Sequence, residues 1–182
     1  MSVVTQPLTG TFVADPVHSS FQFAVKHMKI ATYRASFDNV QARVVADEQG
    51  IRLDVTAPVD SISIKYPPEF REHVVNGADF FDAGNHPTIT FSAGDVRLEN
   101  DNTVTVRGEL TIKGIARPVV ATGTYQPLTE DPFGSMRTAV ELTATVDRRD
   151  WDMGWQAPLP GGGDALGYQV ELSVHAELIK ER

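Results

Sequence analysis

The chain has 182 residues, 41% of them hydrophobic and 22% charged, a globular composition long enough for one sizeable core and short of two ordinary domains. Sixteen Lys and Arg against 24 Asp and Glu leave a net charge of -8, which on balance sets the molecule as a whole against nucleic-acid backbones and anionic membrane surfaces and makes a nucleic-acid role a poor expectation. Cysteine is absent, so disulfides, thiolate catalysis and cysteine-rich zinc sites are excluded.

At the amino terminus, MSVVTQPLTG lacks both a basic start and the apolar run of a secretory leader. No later segment approaches the ~18 uninterrupted apolar residues of a membrane span. These features predict a cytoplasmic protein. From there the chain alternates apolar and polar residues with the period of two that marks half-buried strands. The expected strands run roughly over 10–15, 19–29, 33–46, 50–62, 87–98, 102–113, 117–127, 136–149 and 166–180. In the fourth, Ile51, Leu53, Val55, Ala57 and Val59 share a face; in the last, Val170, Leu172, Val174, Ala176 and Leu178 do.

Within 33–46 the apolar phase changes, from odd-numbered Tyr33, Ala35 and Phe37 to even-numbered Val40, Ala42 and Val44, which predicts a β-bulge near Asp38-Asn39. One short helical insertion is expected around residues 68–84, where Phe70, His73 and Val74 have helical spacing, Pro68 suits a first turn and Gly77 a stop. The Pro- and Gly-rich stretch MGWQAPLPGGGDALG is too long for a tight hairpin and is expected to cover one end.

Consecutive alternating strands with mostly short connections favour an antiparallel meander closed into a barrel, because closure removes exposed edges; a sandwich fits the pattern alone. A membrane barrel uses the same alternation with its faces exchanged, but requires aromatic girdles that four Tyr and two Trp do not supply. An eight-stranded barrel is either just filled by side chains or able to hold one ligand, and strands of ~11–14 residues make any lumen tall and narrow.

Four stretches carry a family resemblance. DPVHSSFQFAVKHMKIATYRASF, GADFFDAGNHPTITFSAGDV, GELTIKGIARPVV and VDRRDWDMGW with GYQVELSVHAEL stand in order and span most of residues 12–178. In these the chain resembles the YceI family of lipocalin-like, isoprenoid-binding proteins. It departs from the family pattern at Ala35, where glycine is usual, and in VNGADFF, which replaces the more usual Leu-Arg-Ser before Asp-Phe-Phe. The resemblance implies an all-β, eight-stranded antiparallel barrel with a helix, a single unit over 1–182 with its core at about 10–180. Its elongated apolar cavity would take a long prenyl chain such as a polyprenyl phosphate or prenylated quinone, and a homodimer is also implied.

His18 and His27, nine residues apart, invite a catalytic or metal reading, but no HExxH or short-spaced histidine pair accompanies them. Counted from Phe21, Phe23 and Val25, His27 falls on the apolar face, as a satisfied core histidine or a polar member of a cavity wall. His18 is expected to bond turn backbone. Asp15, Asp79 and Asp82 sit at element boundaries, where Asp caps and turns, and Ser19 and Ser20 lack a nucleophile elbow. Gly161, Gly162 and Gly163 precede a strand rather than a helix, so they read as a lid and not a phosphate cradle.

Accordingly, no catalytic residue, metal or cofactor is expected. The expected lining is Phe21, Phe23, Val25, His27, Phe37, Phe81, Phe91, Trp151 and Trp155, with Arg148, and beside it Arg149, as candidate contacts for an anionic head group. For the aromatics the alternative is plain core; for the arginines it is a surface salt bridge. Three roles stay open: a non-enzymatic carrier of an isoprenoid or similar amphiphilic lipid, an enzyme on such a lipid with His27 as acid or base, and a filled barrel serving as a stress or interaction module.

Overall fold

A computed structural model describes residues 8–182. Residues 1–7, most of the segment read above for a leader, lie outside them. The strands are β1 (Gly10–Ala14), β2 (Ser20–His27), β3 (Ala31–Ser36), β4 (Gln41–Asp47), β5 (Gly50–Pro58), β6 (Thr88–Leu98), β7 (Thr103–Ile112), β8 (Ile115–Tyr125), β9 (Thr129–Glu130), β10 (Met136–Asp147) and β11 (Leu166–Lys180). One helix, α1 (Pro68–Asn76), and two 3-10 turns, Val59–Ser61 and Arg148–Trp151, complete the elements.

All pairings are antiparallel, and β11 bonds to β10 on one side and to both β2 and β1 on the other. β1 and β2 therefore act as one interrupted strand, as do β3 and β4. With those two pairs merged, and the two-residue β9 counted as a side hairpin on β10, the sheet closes as an eight-stranded antiparallel barrel. The phase change read at Asp38-Asn39 is the break between β3 and β4: Phe37 bridges to Ile62, and the Asp38 amide donates to the Ser61 carbonyl. Further irregularities lie between Ala93 and Asp95, at Gly94, and between Leu166 and Val170. Each bulge re-aims the strand and lets a short sheet curl closed.

The seam between β8 and β10 is only half zipped. Bonding runs from Thr122–Tyr125 against Val140–Thr143, and beyond it Ile115–Ala121 pairs only with β7 and Ala144–Asp147 only with β11. A space of about 320 Å³ lies there, bordered by Val120, Thr122, Thr143, Ala144, Thr145 and Glu171. The Arg148–Trp151 turn then packs over β8.

Helix α1 is shorter than the expected 68–84; turns fill residues 77–86. Pro68 takes the first position, and Gly77 ends the helix with its amide donating to the His73 carbonyl at 2.8 Å. Glycine is needed there for closeness rather than for a left-handed backbone, since a Cβ on Gly77 would stand 2.4 Å from that same carbonyl oxygen.

Val74 and Val75 of α1, Phe81, Met153 and Trp151 pack with Val59, Ile62, Ile64, Leu110, Ile112 and Val119 into an apolar cap over one end. Trp151 is fully buried there, and its indole N–H donates to the Leu110 carbonyl at 3.0 Å. Trp151→Phe leaves that carbonyl unpaired and a gap beside it; the expected loss is about 2 kcal/mol, read from denaturant midpoints at unchanged slope.

Candidate ligand-binding lumen

The inward faces of β2, β5, β6, β10 and β11 are apolar by strand alternation. Phe21, Phe23, Leu53, Val55, Phe91, Leu142 and Leu172 all lie on them, and none of these seven is fully buried. An inward side chain of a closed barrel stays accessible when the interior has room for water-sized molecules or the wall is open. Burial is complete instead at the cap and at the opposite end, where Phe12 is wholly enclosed beside Val44, Ala176 and Leu178. Ala42 and Val55, neighbours across β4 and β5, pack against none of the three buried clusters. They share the inward face with Val44 and Leu53.

Phe23, Phe37 and Phe81 form an aromatic run that joins this interior to the cap. Phe23 and Phe37 have ring centroids 5.8 Å apart, and Phe37 meets Phe81 edge-on at 5.8 Å. Phe91 touches both the cap cluster and the one around Ala93, Val104 and Val106, while Phe21 belongs with the far end. Val25 is buried on β2 between Val170 and Tyr33. Six expected lining residues, Phe21, Phe23, Val25, Phe37, Phe81 and Phe91, thus lie on the interior or its cap.

The remaining expectations are corrected. Trp151 is core of the cap, as its plain-core alternative had it. Trp155 stacks on Phe80 at 5.7 Å and meets His73 edge-on at 6.2 Å, a cluster on the outer side of α1. His27 has the expected parity but ends β2, opposite Leu166 and Ala31, and is exposed, so it is neither core nor wall. Strand parity carries no information on where along a strand the barrel stops.

Arg148 is a buried cation with four of its five N–H donors already used. Its Nε donates to the Gly167 carbonyl at 2.9 Å, and its terminal nitrogens donate to the carbonyls of Met153, Trp155 (2.8 Å) and Leu166 (3.2 Å). The guanidinium also lies 4.7 Å from the centre of the Tyr168 ring. Burial lowers its pKa, though an arginine starts so high that it stays charged. Such a group is a staple for the loop after Trp151, not a receptor for an anionic head. Arg149 is a surface pair, 2.6 Å from Asp147.

The loop itself is compact. Leu159 and Gly163 close a turn, with Gly162 and Gly163 at φ 91° and 88°, and Pro158 bridges to Asp164. Asp79 pairs with the His73 side chain at 2.9 Å and Asp82 accepts from the Asn85 side chain, both within the turns that follow α1.

At the end opposite the cap stands a polar cluster that strand patterns do not reveal. Arg137 reaches Asp15 at 2.8 Å, Glu177 at 2.6 Å and Asp131 at 2.7 Å, and His18 lies 3.0 Å from Asp15. His18 therefore bonds a carboxylate rather than turn backbone. Hydrogen bonds from His18, then Arg137, then the Val17 amide hold the Asp15 carboxyl well below the usual carboxylate range. The same Asp15 bond raises His18 above its ordinary 6.5. Donor atoms of Asp15, His18 and Glu177 come within 4.8 Å of one another, as metal ligands would, but Arg137 already supplies the cation between two of them.

The sign follows from linkage: the His18 contribution is complete below its ordinary pKa and is lost as pH rises through the raised value. The Asp15 contribution is complete above the ordinary carboxylate range and is lost on acidification through the depressed one. Melting temperature against pH should therefore fall on both sides of a plateau. His18→Ala is expected to flatten the alkaline fall by a few degrees and leave most of the acid one.

Among known proteins, the sequence profile described as the YceI-like domain matches residues 12–178. UPF0312 protein SA2479 of Staphylococcus aureus (strain N315) is 32% identical over 168 residues, 91% of this chain and 95% of the relative. Burkholderia cenocepacia BcnA superposes with a TM-score of 0.71 at 20% identity, covering 90% of this chain and 98% of BcnA. A polyisoprenoid binding domain from Saccharophagus degradans superposes at 0.68 with 12% identity, over 93% and 98% of the two chains. The barrel with its bulged strands, cap helix and apolar inward face, and a profile match over nearly its whole length, have one common explanation: the chain belongs to the YceI-like family.

Proposed function

We propose that the protein binds a long-chain isoprenoid, a polyprenyl phosphate or prenylated quinone, or a similar amphiphilic lipid, inside the barrel, and carries or sequesters it without chemical change. The observation that carries this reading is the apolar inward face of the barrel, part-accessible along Phe21, Phe23, Leu53, Val55, Leu142 and Leu172. Family membership and the polyisoprenoid binding domain among its structural neighbours support it.

Apolar burial is worth ~0.8 kcal/mol per methylene-sized group, so a chain of several isoprene units gains affinity without any ion pair. The side chains that would meet it are Phe21, Phe23, Val25, Phe37 and Phe91, with Phe81 at the cap. Exposed His27 has no apolar pocket around it in which to act as acid or base, so the enzyme alternative loses its chosen residue. With Arg148 committed to carbonyls, head-group recognition falls to other groups or to solvent.

Organic extraction of freshly purified protein, followed by mass spectrometry, is expected to release a prenyl lipid in near-stoichiometric amount. Protein stripped of it should reload from a panel of prenyl phosphates and quinones. If nothing is extracted and nothing in the panel loads, the carrier reading fails; turnover of a loaded lipid would favour an enzyme.

A further inference from the structure

Eight large hydrophobic side chains are exposed among the described residues, and five of them, Met28, Ile30, Tyr33, Tyr66 and Phe70, belong to the β2–β3 hairpin and the start of α1. These two segments meet, since Tyr33 and Phe70 pack edge-on with centroids 6.3 Å apart. Ile30 and Tyr66 are each 83% exposed, at the outermost points of the patch. A monomeric surface rarely gathers such side chains at one end without a partner.

The hairpin is cationic, while the start of α1 carries Glu69 and Glu72 beside Lys65 and Arg71. Lys26, Lys29 and Arg34 stand in the run KHMKIATYR with no acidic residue among them, and Lys65 precedes Tyr66, in a chain whose net charge is -8. Among the described residues none of these four cations lies in an ion pair, whereas Arg43, Arg52, Arg71, Arg97, Arg137 and Arg149 all do. Lys26 donates only to the Thr32 hydroxyl, at 2.9 Å.

The hairpin tip is also built at a conformational cost. Met28 and Lys29 sit at φ 51° and 61°, the left-handed region that a tight turn usually gives to Gly or Asn. Met28 is exposed at the tip, and the Lys29 side chain lies over Gly163 of the neighbouring loop. The tip is anchored by the Met28 amide donating to Ala165 at 2.6 Å. Apolar side chains interleaved with unpaired cations on a fixed protrusion are complementary to one kind of surface, an apolar layer beneath anionic head groups.

We propose that this end of the barrel docks on an anionic lipid bilayer, with Ile30, Met28, Tyr33 and Tyr66 entering the interfacial layer and Lys26, Lys29, Arg34 and Lys65 among the head groups. The inference deepens the carrier reading and rests on it: a cargo too apolar to cross water is collected or delivered at the membrane, through the end that carries α1.

Flotation of the full chain with vesicles free of any prenyl lipid tests docking apart from cargo. The expected result is recovery with vesicles of phosphatidylcholine and phosphatidylglycerol, weakened by high salt, and about tenfold weaker recovery with phosphatidylcholine alone. Lys26→Glu with Lys29→Glu should lower recovery about tenfold, Ile30→Asp likewise, and the same charge change at Arg97 and Arg107 on the barrel wall should not.

Equal recovery with both vesicles, no recovery at all, or full recovery of both hairpin variants overturns the proposal. So does a dimer in light scattering that Ile30→Asp dissolves, which would seat a second copy on the patch. Melting curves verify folding, and the charge variants, altered only at exposed side chains, keep the test decisive if Ile30→Asp proves unstable. Loading of prenyl lipid from detergent by Lys26→Glu/Lys29→Glu separates the outcomes: docking lost with loading kept is the expected pair, whereas wild-type loading failure strikes the carrier reading instead.

Discussion

Arg148→Met is expected to cost about 4–6 kcal/mol and to lower the melting temperature by more than 10 °C, although it deletes no ion pair. The guanidinium is buried, and its donors satisfy the carbonyls of Met153, Trp155, Leu166 and Gly167 at once. Methionine retains most of the volume and none of the donors. Four carbonyls then lose a charge-assisted bond, each costing on the order of 1 kcal/mol or more where water cannot replace it. Because those carbonyls belong to both sides of the 153–166 loop, the loss is also local. Limited proteolysis should cut Arg148→Met within this loop well before the rest of the chain, and Arg148→Lys should rescue little, since one ammonium cannot span the same fork. Wild-type stability in Arg148→Met would mean that the carbonyls are hydrated and that the arginine is free for another partner.

Much of the wall was legible because strand alternation is a local signal. Val104, Val106, Leu110 and Ile112 declare their face within ten residues, and the odd-to-even switch after Phe37 marks its own bulge. What failed required depth or distance. His27 and Val25 share a parity, yet one is exposed and the other buried, because the barrel ends between them. Arg148 and Arg149 are adjacent and chemically identical, and only the folded loop decides that one is enclosed by carbonyls while the other pairs with Asp147 at the surface. The Asp15–Arg137 bond spans 122 residues and the Arg137–Glu177 bond 40, so no spacing rule exposes that cluster. The aromatic residues divide for the same reason: Trp151 and Trp155 cap or flank the barrel while Phe23 lies on its inward face, and no local pattern separates them.

The proposed lipid-holding lumen sets up the second large effect. Ala42→Trp is expected to abolish prenyl-lipid loading, by at least a hundredfold in affinity, while the fold and its melting temperature are kept or slightly improved. Ala42 lies beside Val55 and across from Phe91, and neither Ala42 nor Val55 packs against a buried cluster. In a barrel that holds a lipid, an indole there enters the room the lipid would use. It buries apolar area at about 25 cal/mol per Å², which offsets its lost rotamer freedom. A prenyl chain threading the same space would have to forfeit contacts worth ~0.8 kcal/mol per methylene-sized group, and blocking four or five such groups already exceeds the 2.7 kcal/mol or so of a hundredfold change. Filling a packed core has the opposite signature, since extra volume in a well-packed interior costs ~1–3 kcal/mol. The melting curve alone therefore distinguishes a hollow barrel from a filled one, before any ligand is added. Stability lost in Ala42→Trp would identify a filled interior and favour an interaction module; stability kept with loading intact would move the lipid out of the lumen.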